Sequence, residues 1–160
     1  MVASWLVDNQ TIDRFMDRGG MKVANRAILI ITHGEFGIGL MKSIEMIMGP
    51  QKNVNALGLK PGQSVDDLRI QVREVVAHNE EQNLETVVLV DLLGGSPSNV
   101  ALSLLRDYAV NILTGVNMPM LVQILQFYNT EEDTDKLIAD VKKTAAEGIH
   151  LLNKEFLKSH

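Results

Sequence analysis

The sequence predicts an α/β protein: a doubly wound open sheet of four parallel strands, in the order 2-1-3-4, with helices on both faces. Three observations lead there. Short branched, apolar runs alternate with amphipathic helical patterns from Met21 onward. The clearest runs, Ala27 to Ile31 and Val87 to Val90, are apolar at successive positions, so both of their faces are buried, as in parallel sheets covered on each side. Three of the runs end in polar or glycine-bearing loops, where open sheets of this kind present their binding crevice.

The elements follow in order. Residues 27–32 read as the first strand, and residues 38–48 as a helix with Leu40, Ile44, Ile47 and Met48 on one face, stopped by Gly49-Pro50. Residues 53–59 form a weaker strand. After the turn "KPGQS", Ser64 caps a helix whose stripe is Val65, Leu68, Val72, Val75 and Val76. "ETVVLVDLL" is the strongest strand, and "GGSPSN" turns it into a helix over 97–108. "AVNILTGVN" is the fourth strand, followed by the helix "MPMLVQILQFYN" and a last helix over 131–147, capped by Thr130 or Thr134. "EGIHLLN" is long enough for a short final strand. The methionines at 41, 46, 48, 118 and 120 read as core or interface filler.

Composition narrows the function. With 160 residues, one domain is expected. The apolar fraction is 46%, the charged fraction 22% and the net charge −5, which argues against a nucleic-acid binder. There is no cysteine, which excludes disulfides, zinc thiolates and thiol catalysis. No apolar run reaches transmembrane length, and the first twenty residues lack the pattern of a signal peptide, so a cytoplasmic location is expected. Residues 1–20 hold the only tryptophan, Trp5, and end in Gly19-Gly20 before Met21. They read as an N-terminal extension or a segment added in expression, with residues 21–160 as the single domain. The alternative is an amphipathic helix with Trp5, Ile12, Phe15 and Met16 on one face.

The chemistry sits after the strands. The first strand ends in Thr32-His33-Gly34-Glu35, the third in Asp91-Leu92-Leu93-Gly94-Gly95-Ser96-Pro97, the fourth in Thr114-Gly115-Val116-Asn117. In a 2-1-3-4 order, His33 and Asp91 face each other at the switch point. A carboxylate that accepts one ring N–H fixes the tautomer and leaves the other nitrogen free as nucleophile or base. Gly94, Gly95 and Ser96 open a helix N-terminus, with Ser96 at the N-cap and Pro97 as first helical residue, and so offer a phosphate cradle. Histidine, carboxylate and anion site together suggest a phosphoryl group carried on nitrogen. Each also has a plainer reading: a lone loop histidine, a turn aspartate, a simple connection. His78, His150 and His160 read as solvent-facing or structural, and Glu35 as a polar loop residue. An aspartyl-phosphate site lacks its acidic pair and lysine. A serine hydrolase built on Ser96, His33 and Asp91 lacks the G-x-S-x-G elbow.

"ITHGEFG", "VLVDLLGGSPSNVA" and "TGVNMPML" together resemble, in order and spacing, the mannose-type IIA components (mannose/fructose/sorbose family) of the bacterial phosphoenolpyruvate-dependent sugar phosphotransferase system. The similarity runs from about residue 27 to 152. The resemblance implies a phosphotransferase with no cofactor and no metal, in which His33 takes a phosphoryl group from phospho-HPr and passes it to a histidine of a IIB protein, and indirectly serves a membrane IIC/IID permease. It implies that Asp91 hydrogen-bonds the active histidine and that Ser96 lies next to the phosphate. It further implies a homodimer in which "EGIHLLN" is exchanged between subunits, placing His150 at an interface, and a stand-alone IIA without a fused IIB domain. Leu92 departs from a polar residue of some members, and Ser98 from a common aromatic, which would alter the partner-facing surface. Two other readings stay open: the phosphohistidine subunit of a dihydroxyacetone kinase, and a regulatory domain switched by His33 phosphorylation. The sugar is not encoded in a IIA chain.

Overall fold

The computed structural model describes residues 24–159. The expectations for residues 1–20 and for His160 fall outside them. Strands β1 (Arg26–His33), β2 (Val54–Leu59), β3 (Glu85–Val90) and β4 (Asn111–Thr114) form one parallel sheet in the order β2-β1-β3-β4. Helices α1 (Phe36–Met48), α2 (Val65–Glu81), α3 (Ser96–Leu104), α4 (Met118–Phe127) and α5 (Thr134–Glu147) cover it, and a single helical turn, α6 (Phe156–Ser159), follows. Alternation along the central strands sorts the core into two layers. Ile28, Ile30, Val87 and Leu89 pack with α1, α4 and α5; Leu29, Ile31, Val88 and Val90 pack with α2 and α3. Among the described residues no helix is long and apolar enough to cross a membrane.

The starts of the helices differ from expectation in informative ways. Ser64 caps α2 as expected, accepting from the Asp66 N–H. The cap of α5 is neither Thr130 nor Thr134 but Asp133, whose carboxylate accepts from the Asp135 and Lys136 N–H groups. Thr134 is spent elsewhere, on a buried guanidinium. Helix α1 starts two residues early, at Phe36, because the buried Thr32 hydroxyl at the end of β1 accepts the Gly37 N–H and does the work of a cap. Helix α3 stops at Leu104 rather than 108. Ile47 and Met46 face solvent rather than the core. "EGIHLLN" forms no strand in the single chain: residues 149–153 are irregular, with Ile149, Leu151 and Leu152 exposed.

At the N-terminal ends of β1 and β3, the Arg26 side chain is 2% exposed and fully satisfied. Its Nε donates to Glu85 (2.9 Å), Nη1 to the Tyr128 and Glu131 carbonyls, and Nη2 to the Glu132 carbonyl and the Thr134 hydroxyl. Thr134 in turn donates to Glu85 (2.7 Å). Planar guanidinium forks suit such many-armed sites. One side chain thereby ties β1, β3 and the α4–α5 connection together. Arg26→Ala leaves a carboxylate and three carbonyls without their donor, partly relieved because Glu85 remains about one-third exposed (36%). The expected loss is about 3 kcal/mol in urea unfolding. A loss under about 1 kcal/mol would mean that water replaces the guanidinium freely.

Candidate active site

The winding of the chain reverses between β1 and β3, since β1 leads outward to β2 and β3 leads the other way to β4. The register Ile31↔Val90 then sets His33 and Asp91 side by side beyond the sheet. One Asp91 oxygen, Oδ2, accepts both the His33 backbone N–H (2.8 Å) and a contact from ring Nδ1 (2.7 Å); the other, Oδ1, accepts the Leu92 N–H (2.8 Å). The Asp91 side chain is 12% exposed and that of His33 47%. Burial alone would push the Asp91 carboxyl up. The hydrogen bonds from the His33 backbone, the His33 ring and the Leu92 N–H outweigh it together, and the group is held below the usual carboxylate range.

That ionisation decides the tautomer. A carboxylate is acceptor only, so Nδ1 must carry the proton facing it, and in the neutral ring Nε2 holds the free lone pair. The free side of the ring abuts Gly95: a β-carbon there would lie 2.7 Å from His33 Cε1 and 3.2 Å from Nε2. Glycine is required because backbone and imidazole meet directly. The loop below the ring is equally tight. The Gly34 N–H donates to the Leu59 carbonyl (2.9 Å), and a β-carbon on Gly58 of β2 would lie 1.8 Å from the Gly34 carbonyl oxygen.

The glycine turn is arranged differently from expectation at one point. The N-cap of α3 is Gly95, not Ser96; Ser96 and Pro97 are the first two helical residues. Ser96 is half-buried, and its hydroxyl makes no hydrogen bond among the described residues. The side chain that works on the turn is Ser98, whose Oγ accepts the Gly94 N–H and donates to the Gly95 carbonyl, both at 2.9 Å. Ser98 is 1% exposed, so it does not shape a partner-facing surface. Of the expected phosphate donors, the Gly94 N–H is therefore occupied, while the N–H groups of Gly95 and Ser96 have no partner among the described residues. At the third loop, Asn117 caps α4 through the Met120 N–H and donates to the Ala145 carbonyl, a structural duty. Glu35, His78 and His150 are exposed and join no part of this site. Among the described residues no group of three or more His, Cys, Asp or Glu side chains is placed to hold a metal.

The profile of the family described as "PTS system fructose IIA component" matches residues 27–142. The chain belongs to this family. It is 34% identical over 127 residues to the "PTS system mannose-specific EIIAB component" of Escherichia coli (strain K12), covering 79% of this chain and 39% of that protein. The matched region thus spans about two-fifths of that relative's length (39%). It is 32% identical over 100 residues to the "PTS system fructose-specific EIIA component" of Bacillus subtilis (strain 168), covering 62% of this chain and 68% of that protein. The crystal structure of phosphotransferase system component EIIA from Streptococcus agalactiae superposes with a TM-score of 0.72 at 33% identity, over 78% of this chain and 95% of that one.

The lowered native pKa of Asp91 ties that carboxylate to stability with a definite sign. Its contribution is present above the ordinary carboxylate range and is lost as pH falls through the native value. The stability gap between wild type and Asp91→Asn, measured by urea unfolding, is expected to be full at about pH 7 and to close below about pH 4. A gap that persists unchanged at about pH 3 would show that the asparagine disturbs packing instead.

Proposed function

We propose that this IIA component carries a phosphoryl group on Nε2 of His33, received from phospho-HPr and handed to a histidine of a IIB protein for sugar uptake. The His33–Asp91 pair carries the proposal, because it leaves one nitrogen of a half-exposed imidazole unprotonated at a topological switch point. In the first transfer the donor's P–N bond breaks as the bond from His33 Nε2 to phosphorus forms, in line. No proton moves. The phosphorylated ring keeps its Nδ1 proton and becomes cationic, and the Asp91 carboxylate beside it balances that charge. The unpaired Gly95 and Ser96 N–H groups, at the positive end of α3, support placement of the phosphoryl oxygens there. Catalysis then consists of positioning and charge stabilisation. Exposed Phe36, Leu92 and Leu93 give the protein partner an apolar rim around the histidine.

A homodimer belongs to the same proposal. Among the described residues strand β4 pairs only with β3, and the chain after α5 exposes Ile149, Leu151 and Leu152. Exchange of that tail onto the partner's sheet would cover both features.

With phosphoenolpyruvate, enzyme I and HPr, His33→Ala is expected to abolish labelling, and Asp91→Asn to slow it about tenfold to a hundredfold by releasing the tautomer. Labelling of the His33→Ala protein would place the phosphoryl group elsewhere. In sedimentation, Leu151→Asp with Leu152→Asp is expected to turn a dimer into a monomer; a wild-type chain that sediments as a monomer would remove the exchange.

A further inference from the structure

The glycine turn against the His33 ring has no side chain of its own to hold it. Gly94 lies at a positive φ of 91°, Gly95 is the N-cap of α3, and neither has a side chain to bond or pack. The one hydroxyl that grips both is that of Ser98, at the third helical position. It reaches back along the chain to accept the Gly94 N–H and to donate to the Gly95 carbonyl, buried at 1% exposure. The arrangement is the third-position half of a capping box, displaced by one residue. Its two bonds have separate effects. The bond to the Gly95 carbonyl holds the segment where a β-carbon would lie 2.7 Å from His33 Cε1 and 3.2 Å from Nε2. The bond from the Gly94 N–H removes that donor from the crevice, so the free donors are those of Gly95 and Ser96.

We infer that Ser98 is a positioning residue for His33: its hydroxyl fixes the Gly94–Gly95 turn against the free face of the imidazole and selects which backbone N–H groups remain for the phosphoryl oxygens. It touches neither the ring nor the phosphate. The inference deepens the proposed phosphoryl-carrier function and rests on it for its rate consequence, but its structural half does not depend on it. In Ser98→Ala the Gly94 N–H is released into the crevice and the turn loses its brace, so the wall beside Nε2 relaxes.

The test is carried out on the full chain. Imidazole ¹³Cε1 and ¹⁵Nε2 resonances of unphosphorylated His33 are compared in wild type, Ser98→Ala and Val141→Ala. Val141 is a fully buried residue of α5 on the opposite face of the sheet, so it controls for general loosening. The expected result is a shift of both His33 resonances in Ser98→Ala alone, with phosphoryl acceptance from phospho-HPr slowed about tenfold. Unmoved His33 resonances in a folded Ser98→Ala protein overturn the inference, as does an equal shift in Val141→Ala. If the resonances shift but wild type accepts no phosphoryl group, the positioning role stands and the carrier function fails.

Discussion

The Arg26–Glu85 pairing is the constraint on which the rest depends. These two residues face each other in the β1–β3 register, and five strand positions later the same register sets Ile31 against Val90, with His33 and Asp91 just beyond. A parallel ladder of aliphatic side chains discriminates poorly between neighbouring registers of the same parity. A buried guanidinium with an acceptor for each of its donors does not slip, because a shift by two residues would strand the charge. The lock lies at one end of the sheet and the histidine at the other, and the rigid strands between them transmit the alignment. The two cores, one on each face, keep those strands straight and dry.

At the far end the electrostatics are economical. A single carboxylate orients the ring and fixes its proton. It is kept ionised against its own burial by three hydrogen bonds, two of them from the histidine it serves. A helix N-terminus faces the other side of the ring. The imidazole therefore sits between a fixed negative group and a set of fixed positive dipoles, an arrangement that needs little reorganisation as charge develops.

Much of this was legible in the sequence. Strands apolar on both faces dictated a parallel sheet, and the winding of such sheets brought His33 to Asp91 across 58 positions of chain. What escaped was whatever depends on a partner distant in sequence or on geometry finer than a motif. Arg26 lies just ahead of the strand read over 27–32, and its match to Glu85 at the start of "ETVVLV" depends on a register that no local motif carries. Asp133 outcompeted Thr134 for the α5 cap because Thr134 was already engaged by Arg26 and Glu85. Ser96 looked like a cap by proximity to Pro97, yet the helix starts one residue sooner and the bracing hydroxyl is two residues later. The final strand expected in "EGIHLLN" does not form in the single chain, where residues 149–153 are irregular.

The seating of the Gly34 carbonyl on Gly58 has a consequence for how the site would fail. Strand β2 is an outer strand, the class of element that opens first in native-state fluctuations. The histidine loop rests on it through the Leu59 carbonyl and the bare α-carbon of Gly58. Fraying of that margin releases the loop while the two inner strands stay paired. The working lifetime of the imidazole is thus set by a local opening of the sheet's border, on a shorter clock than the unfolding of the molecule.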